Sequence, residues 1–397
     1  MSGPLQGIRV LDVGLLVQAP QAAALLSDMG ADVIKVELPG FGDQARFIPL
    51  SLEDFRSAYF TACNRGKRSL TLDLRTPAGA AIFRRLAATA DIVVSNFKPG
   101  TMESWGIGFE DLAEHNPRIV WAGGSTFGPA GPDAGLEGAD LAGQAAGGLV
   151  STTGRDGDPP SPVGVTIADH IGSLNMVAGV LAALHARERT GRGQRVEVSL
   201  LGGQIWAQAA EYTHFLLADQ VPGRSNYGHP LLKAASYRIF ETADGWLGVI
   251  GVPAEAMDGF LVALGRPELA TDERLQSLFM APDDLAWFTG VLEDAFRTRG
   301  TAEWCELLRE AGVRHAPVRD YREVVADPGA WENGYFATVR DDDGQERRVV
   351  GTPIRMSDTP LAPAASPPEL GANSDEILRD LGYSDADIEG FRDTGAV

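Results

Sequence analysis

Cysteine is scarce in this chain: Cys63 and Cys305 are the only two among 397 residues, too few for a disulfide framework. No uninterrupted apolar run approaches the roughly 18 residues of a membrane helix. Met1-Ser-Gly-Pro-Leu5 has no basic stretch leading into an apolar one, so no secretory leader is expected. Together these absences read as cytoplasmic. Positive charge is also short, with 34 Lys and Arg against 54 Asp and Glu and a formal net charge of -20. That balance argues against sequence-independent binding to nucleic acid. Familiar phosphate and nucleophile signatures are missing too. After the first expected strand the chain reads Asp12-Val-Gly-Leu-Leu-Val-Gln-Ala-Pro20, not Gly-x-Gly-x-x-Gly. There is no P-loop and no Gly-x-Ser-x-Gly elbow. His115, His170, His185, His214, His229 and His315 are scattered without metal-ligand spacing, so no metal is expected.

What remains is an ordinary globular composition, 44% hydrophobic and 22% charged, long enough for one large domain or two ordinary ones. Residues 7–13 read as a buried parallel strand, 20–29 as a small-residue helix ended by Gly30, and 31–37 as a second strand. The unit repeats as strand 68–73, helix 76–89 and strand 91–95, with Thr76 as cap and Pro77 in the first turn. A helix at 109–115 and a strand at 119–123 follow. Strands alternating with helices predict a Rossmann-like, doubly wound α/β domain. Residues 128–164 are rich in Gly, Pro and Ala and read as an active-site loop with a short helix near 139–147. A long small-residue helix is expected over 167–188. Thr190 to Leu201 is a turn running into an apolar strand or helix, and a further helix runs from Leu200 through Tyr212.

Beyond Pro222 the character changes. A hairpin is expected over 237–250, then amphipathic helices at 254–264, 285–297 and 302–311, forming a smaller α+β domain. Strands at 335–339 and 346–350 flank a turn at 341–344, a Pro/Ala/Ser linker covers 357–370, and a short capped helix covers 374–381. The expected division is therefore a large domain over 1–220, a small one over 221–327, and a return to the large domain over 328–397.

The most suggestive single residue is Asp169, between the Gly/Pro-rich loop and the long helix. An acid at a helix start is commonly a cap. The same position stabilises a carboxylate that could act as a nucleophile. His170 invites a dyad, but neighbours on a helix point about 100° apart. Basic residues bunch at Arg65, Lys67 and Arg68, with Arg75 and Lys98 further on. Such a patch reads as a positive pocket for a nucleotide-like ligand or as solvated surface charge.

Several segments together resemble the family III CoA-transferases, the group that includes formyl-CoA:oxalate and carnitine CoA-transferases. They are Gly7-Ile-Arg-Val-Leu-Asp12, Gly30-Ala-Asp-Val-Ile-Lys-Val-Glu37, Gly42-Asp43 with Arg46, Asn64-Arg-Gly-Lys-Arg-Ser-Leu-Thr-Leu-Asp73, Asn96-Phe-Lys-Pro-Gly100, Asn116-Pro-Arg118, Gly154, Thr190-Gly-Arg-Gly-Gln194 and the tail Asp375 to Tyr383. The resemblance implies that Asp169 is a nucleophile forming aspartyl anhydride and aspartyl-CoA intermediates, with coenzyme A entering as acyl-CoA. It implies that Gln18 and Ala19 lie beside the thioester. Asn96, Phe97 and Lys98 would contact CoA, and Leu72, Asp73, Leu74 and Arg75 would line its adenine and ribose end. The partners it implies are an acyl-CoA, a carboxylic acid and a second copy of the chain in an interlocked homodimer. The loop 128–164 and the small domain would keep water out.

This chain departs from the family pattern at Leu38, Ser104 and Glu137, where relatives carry Arg or Lys, and at Ala139, where they carry an aromatic. The expectation is that Arg46, Arg65 or Lys67 takes over the phosphates. No glycine-rich loop occurs between Tyr237 and Val252, which argues against oxalate or formate, and Leu15, Leu16, Val17 and Trp206 suggest a larger, less polar substrate. The related α-methylacyl-CoA racemases use Gly-His-Asp where this chain has Gly138-Ala139-Asp140. Losing that His removes one of the two bases α-proton exchange needs. A racemase and a non-catalytic CoA-binding protein remain the alternatives.

Overall fold

The computed structural model describes residues 3–276, 280–341, 344–363 and 365–397. Residues 342 and 343 of the expected turn and residue 364 of the expected linker lie outside the described residues. The chain divides into two units, one of residues 1–148, 163–207 and 327–397, the other of residues 149–162 and 208–326.

The first unit is built on a six-stranded parallel sheet: β1 Arg9–Asp12, β2 Asp32–Glu37, β3 Arg68–Thr71, β4 Ile92–Ser95, β5 Val120–Ser125 and β6 Arg195–Ser199. The strand order is β3-β2-β1-β4-β5-β6, the doubly wound arrangement expected from the alternation. β1 pairs with both β2 and β4, Leu11 standing opposite Ile34 on one side and Val93 on the other. The order reverses there, and in open sheets of this kind ligands bind beyond the carboxyl ends of such strands.

Alternate strand residues feed two apolar layers. Leu11, Ile34, Leu70, Val93 and Trp121 face one side, with Ile82, Phe83 and Leu86 of helix Pro77–Ala87 and Ile377, Leu378 and Ile388 of the tail. Val10, Val33, Ile92, Val94, Val120 and Ala122 face the other, against helix Gln18–Asp28 and the long helix Ile167–Thr190. Small residues make that second layer thin: a Cβ at Gly179 would sit 2.5 Å from Val196 Cγ1. No apolar run of that length is uninterrupted, yet the 24-residue helix Ile167–Thr190 is long and apolar enough to cross a membrane by length and composition alone. Here its apolar residues Met176, Val177, Val180 and Ala183 are buried against the sheet.

Local signals operate as read from the sequence at several ends. Thr76 Oγ1 accepts from the Gly79 N–H at 3.0 Å, with Pro77 opening the helix. Gly191 ends the long helix at φ 71°. The segment 190–201, open between strand and helix, contains both: β6, then helix Leu200–Ala207. The expected continuous helix through Tyr212 is interrupted at Gln208, and a second one covers Ala209–Ala218. The tail binds the edge of the sheet. Asn373 and Ser374 bond to Ser69 and Thr71 of β3, and Asp73 N–H donates to Ala396 O at 2.9 Å.

In the second unit a three-stranded antiparallel sheet, Tyr237–Glu241, Trp246–Ile250 and His315–Pro317, packs with helices Met257–Ala263, Pro282–Phe296 and Thr301–Glu310 around Phe240, Phe260, Phe296 and Trp304. Residues 149–162 cluster here, outside the expected 1–220 domain, because Ser225 and Asn226 donate backbone hydrogen bonds to Thr152 O and Gly154 O and Arg224 reaches Thr153 O at 2.8 Å.

The polar core of the first unit is ionic. Lys35 Nζ lies 2.7 Å from Asp43 Oδ2, 3.6 Å from Asp12 Oδ2 and 2.6 Å from Gly14 O. Lys67 Nζ lies 2.6 Å from Asp12 Oδ2 and also donates to Pro20 O and Asn64 Oδ1. All four charged side chains are fully buried. Burial opposes both ammonium groups. At Lys35 the charges of Asp12, Asp43 and Glu37 outweigh it and the pKa rises, whereas at Lys67 burial wins and the pKa falls to about 8. Removing one partner of a buried pair leaves an uncompensated charge, typically about 3–5 kcal/mol. Lys67→Met should therefore lower unfolding free energy by roughly that amount, read as a lower urea midpoint at unchanged slope. An unchanged midpoint would show that the cluster contributes no net stability.

Candidate active site

The loop from β1 to the first helix lacks the glycines of a dinucleotide turn, and side chains fix it instead. Asn96 closes a two-way bond with Leu15, its Oδ1 accepting from Leu15 N–H and its Nδ2 donating to Leu15 O, each at 2.8 Å. Asp43 Oδ1 accepts from Leu16 N–H at 3.0 Å. Leu16 is held at φ 61°, an uncommon state for a branched side chain. This loop delivers Gln18 and Ala19, both buried.

The Gln18 side chain slots between two glycines. A Cβ on Gly124, at the end of β5, would meet Gln18 Oε1 at 2.2 Å, and one on Gly172 would meet Nε2 at 2.6 Å. Gln18 Nε2 is buried and has no hydrogen-bond partner among the described residues, a donor left for another group to satisfy. Ser173 Oγ lies 2.6 Å from Gln18 O and 2.8 Å from Asp169 O, tying the two segments together. Asp169, Gly172 and Ser173 share one face of the long helix by their i, i+3, i+4 spacing.

Asp169 is not the helix cap that one sequence reading allows. The cap position is Thr166, with no capping side chain, and the backbone donor of Ala168 is taken by Asp140 Oδ1 at 2.7 Å. The Asp169 carboxyl has no hydrogen-bond partner among the described residues. Burial first, and the charge of Asp140 second, raise its pKa to about 7. The expectation that the helix start keeps this acid ionised is thus overturned: loss of water outweighs the helix end. His170 forms no pair with it. Its Nε2 lies 3.1 Å from Thr166 Oγ1, and burial lowers its pKa against the opposing charge of Asp140.

Two cavities open beyond the strand ends. One, of about 270 Å³, is lined by Leu15, Leu72, Asp73, Leu74, Arg75 and Phe97, with Leu38, Phe41 and Trp105. The other, of about 110 Å³, is lined by Phe97 and Lys98 with Trp121, Gly123, Gly124 and Arg195. Phe97 borders both and packs edge-on against Trp105 at 5.3 Å. Arg75 is paired with Asp73 at 2.8 Å and Lys98 with Glu137 at 2.9 Å, their side chains 59% and 48% exposed.

The three cations expected to replace the missing Arg and Lys residues are not available. Arg46 is held by both oxygens of Glu37, Arg65 by Asp28, and Lys67 by Asp12. The bunched basic stretch is internal wiring and not a pocket. Nor do the expected apolar residues form one wall: Leu15 lines the larger cavity, Val17 is buried, and Trp206 is 74% exposed. Sequence reasoning missed Asp140 as the cap, Trp105 beside Phe97, and Ser173. The i+4 spacing from Asp169 was the available signal for Ser173.

The sequence pattern of CoA-transferase family III matches residues 5–374. The chain belongs to that family. A succinyl-CoA–D-citramalate CoA-transferase of Chloroflexus aurantiacus is 34% identical over 388 residues, spanning 97% of this chain and 96% of that one. A succinate–glutarate CoA-transferase of Agrobacterium fabrum is 33% identical, spanning 95% and 96%. A solved CAIB/BAIF family protein of Brucella suis superposes with TM-score 0.84 at 32% identity, over 96% of this chain and 100% of that one. The protein is therefore an acyl-CoA:carboxylate CoA-transferase of family III, and acyl-CoA is its substrate class.

The raised pKa of Asp169 makes a stability prediction. Ionising this acid is unfavourable in the folded chain, so stability is lost as pH rises from about 3.8 and the loss is complete above about 7. Asp169→Asn removes that loss. The variant should match the parent below pH 4 and exceed it by on the order of 2 kcal/mol at pH 8, measured by urea unfolding across pH. A variant no more stable at pH 8 would contradict the assignment.

Proposed function

We propose that Asp169 carries the acyl transfer, and that the donor and acceptor are mono- or dicarboxylic acids larger than oxalate. The observation that carries this reading is a half-buried, unbonded carboxyl one helical turn before Gly172, against which the orphaned Gln18 amide packs, with Ser173 joining the backbone carbonyls of Asp169 and Gln18. The substrate size is supported by relatives whose names specify succinate, glutarate, mesaconate and citramalate.

The residues fit CoA. Phe97 and Trp105, with Leu72 to Arg75, offer a partly apolar cavity for a purine. Arg75 and Lys98 give up only exposed ion pairs, each worth little, to meet phosphates. Asn96 acts by holding Leu15, and thereby the approach to Gln18.

The Asp169 carboxylate attacks the thioester carbonyl, the C–S bond breaks, and a mixed anhydride and CoA thiolate form. The thiolate then attacks the Asp169 carbonyl, releasing the donor acid and leaving an aspartyl-CoA thioester. The acceptor carboxylate attacks that thioester, regenerating thiolate and a new anhydride. Thiolate attack on the acceptor's carbonyl releases product acyl-CoA and the free Asp169 carboxylate. Each step exchanges one activated acyl for another, so no external energy source enters. Gln18 Nε2 supplies a donor to the developing oxyanion, and burial that keeps water from the anhydride also raises the acid's pKa.

Exchange of CoA between an acyl-CoA and a free acid, followed by mass spectrometry over a panel of acids, tests this. Asp169→Ala should abolish exchange and the hydroxylamine-sensitive label on the protein, and activity surviving it would end the proposal. Gln18→Ala should lower kcat by about 10²–10³. Because only the ionised acid attacks, kcat/KM should rise with pH to a plateau above about 7. A racemase would instead take up deuterium at the α-carbon without an acceptor, and a binding protein would do neither.

A further inference from the structure

We propose that Asp140 is a positioning residue for Asp169, holding the amino end of the helix that carries the acid while keeping a second negative charge beside it. The inference rests on Asp169 being the reacting group.

The geometry starts from the short helix Asp140–Ala146, which opens at Asp140. Its Oδ1 accepts from Ala168 N–H at 2.7 Å and its Oδ2 from Gln144 Nε2 at 2.6 Å. Gln144 is 1% exposed and fastens the segment ahead of the long helix: its Nε2 lies 3.2 Å from Val165 O, and its Oε1 accepts from Val163 N–H at 3.0 Å. Asp140 and Gln144 thus replace the missing local cap with a long-range one, 28 residues away in sequence. Charged hydrogen bonds of this kind are stronger than neutral ones, and the first turn they fix contains Asp169.

The second effect is electrostatic. Asp140 adds to burial in raising the Asp169 pKa. The other elements around the amino end of the long helix bring little charge. The first helix presents Gln18 there and has no charged residue before Asp28. Helix Leu200–Ala207 and strand β5 have none, and Asp140 is the one charged residue of its own helix. β6 brings Arg195 and Glu197, which neighbour one another and Glu103 and Glu110. On the long helix itself His170 follows, bound to Thr166. The arrangement disfavours the resting anion: a carboxylate within the field of a second one gains when acylation removes its charge. Asp140 therefore ties the placement of the nucleophile to its reactivity.

The test separates support from charge. Asp140→Asn keeps an oxygen acceptor for Ala168 N–H, gives up the bond from Gln144 Nε2 and removes the charge; Asp140→Glu keeps the charge. The kcat/KM limb near pH 7 should move down by about one unit in Asp140→Asn, with a lower plateau, and stay in place in Asp140→Glu. A limb that does not move, with rates reduced equally at all pH, would leave Asp140 a structural cap only and overturn the proposal. Independently of turnover, the stability gain of Asp169→Asn at pH 8 should shrink in the Asp140→Asn background. No shrinkage likewise overturns it. Should Asp169→Ala retain activity, the nucleophile reading fails, while the stability cycle still reports the coupling.

Discussion

Asp12, Lys35, Asp43 and Lys67 form a dry ionic cluster under the carboxyl ends of β1 and β2, and the site is assembled on top of it. Lys35 and Lys67 hold the carbonyls of Gly14 and Pro20, one on each side of the loop that delivers Gln18. Asp43 reaches back to Leu16 and keeps it in the left-handed region. In nucleotide-binding relatives of this topology glycines make that turn; here charges buried at considerable desolvation cost do so. Strain at Leu16 is sustained because its surroundings over-determine it.

That same cluster explains why the fold was more legible in the sequence than the site. β4 announces itself as a short apolar run, and Thr76-Pro77 as a helix start, because burial and capping act on neighbours in the chain. Arg65 and Lys67 were readable only as part of a basic stretch, since their partners Asp28 and Asp12 lie on other elements. Asp169 stood out through its position and through resemblance. Its environment did not, because Asp140 and Gln144 come from a separate helix and no local pattern links them to it. The 149–162 segment was unreadable for a related reason: its hydrogen bonds go to residues 224–226.

With Asp169 as the proposed nucleophile, burial sets competing demands on the acid. Removing water would protect an anhydride and strengthen the pull of the Gln18 amide, while it makes the anion harder to form. A pKa near neutrality is the compromise, leaving a substantial ionised fraction at physiological pH while keeping the resting carboxylate poorly solvated. Gly124 and Gly172 belong to the same compromise, since any side chain there would displace the amide from the acid's face of the helix.

The bonds from Asn373, Ser374 and Ala396 to β3 and Asp73 carry a consequence for biosynthesis. A ribosome makes the edge of the parallel sheet within the first hundred residues, but the residues that cover it come 303 and 304 positions later. The whole intervening unit must emerge first. Until then the nascent sheet exposes an unpaired border, the surface most prone to wrong pairing.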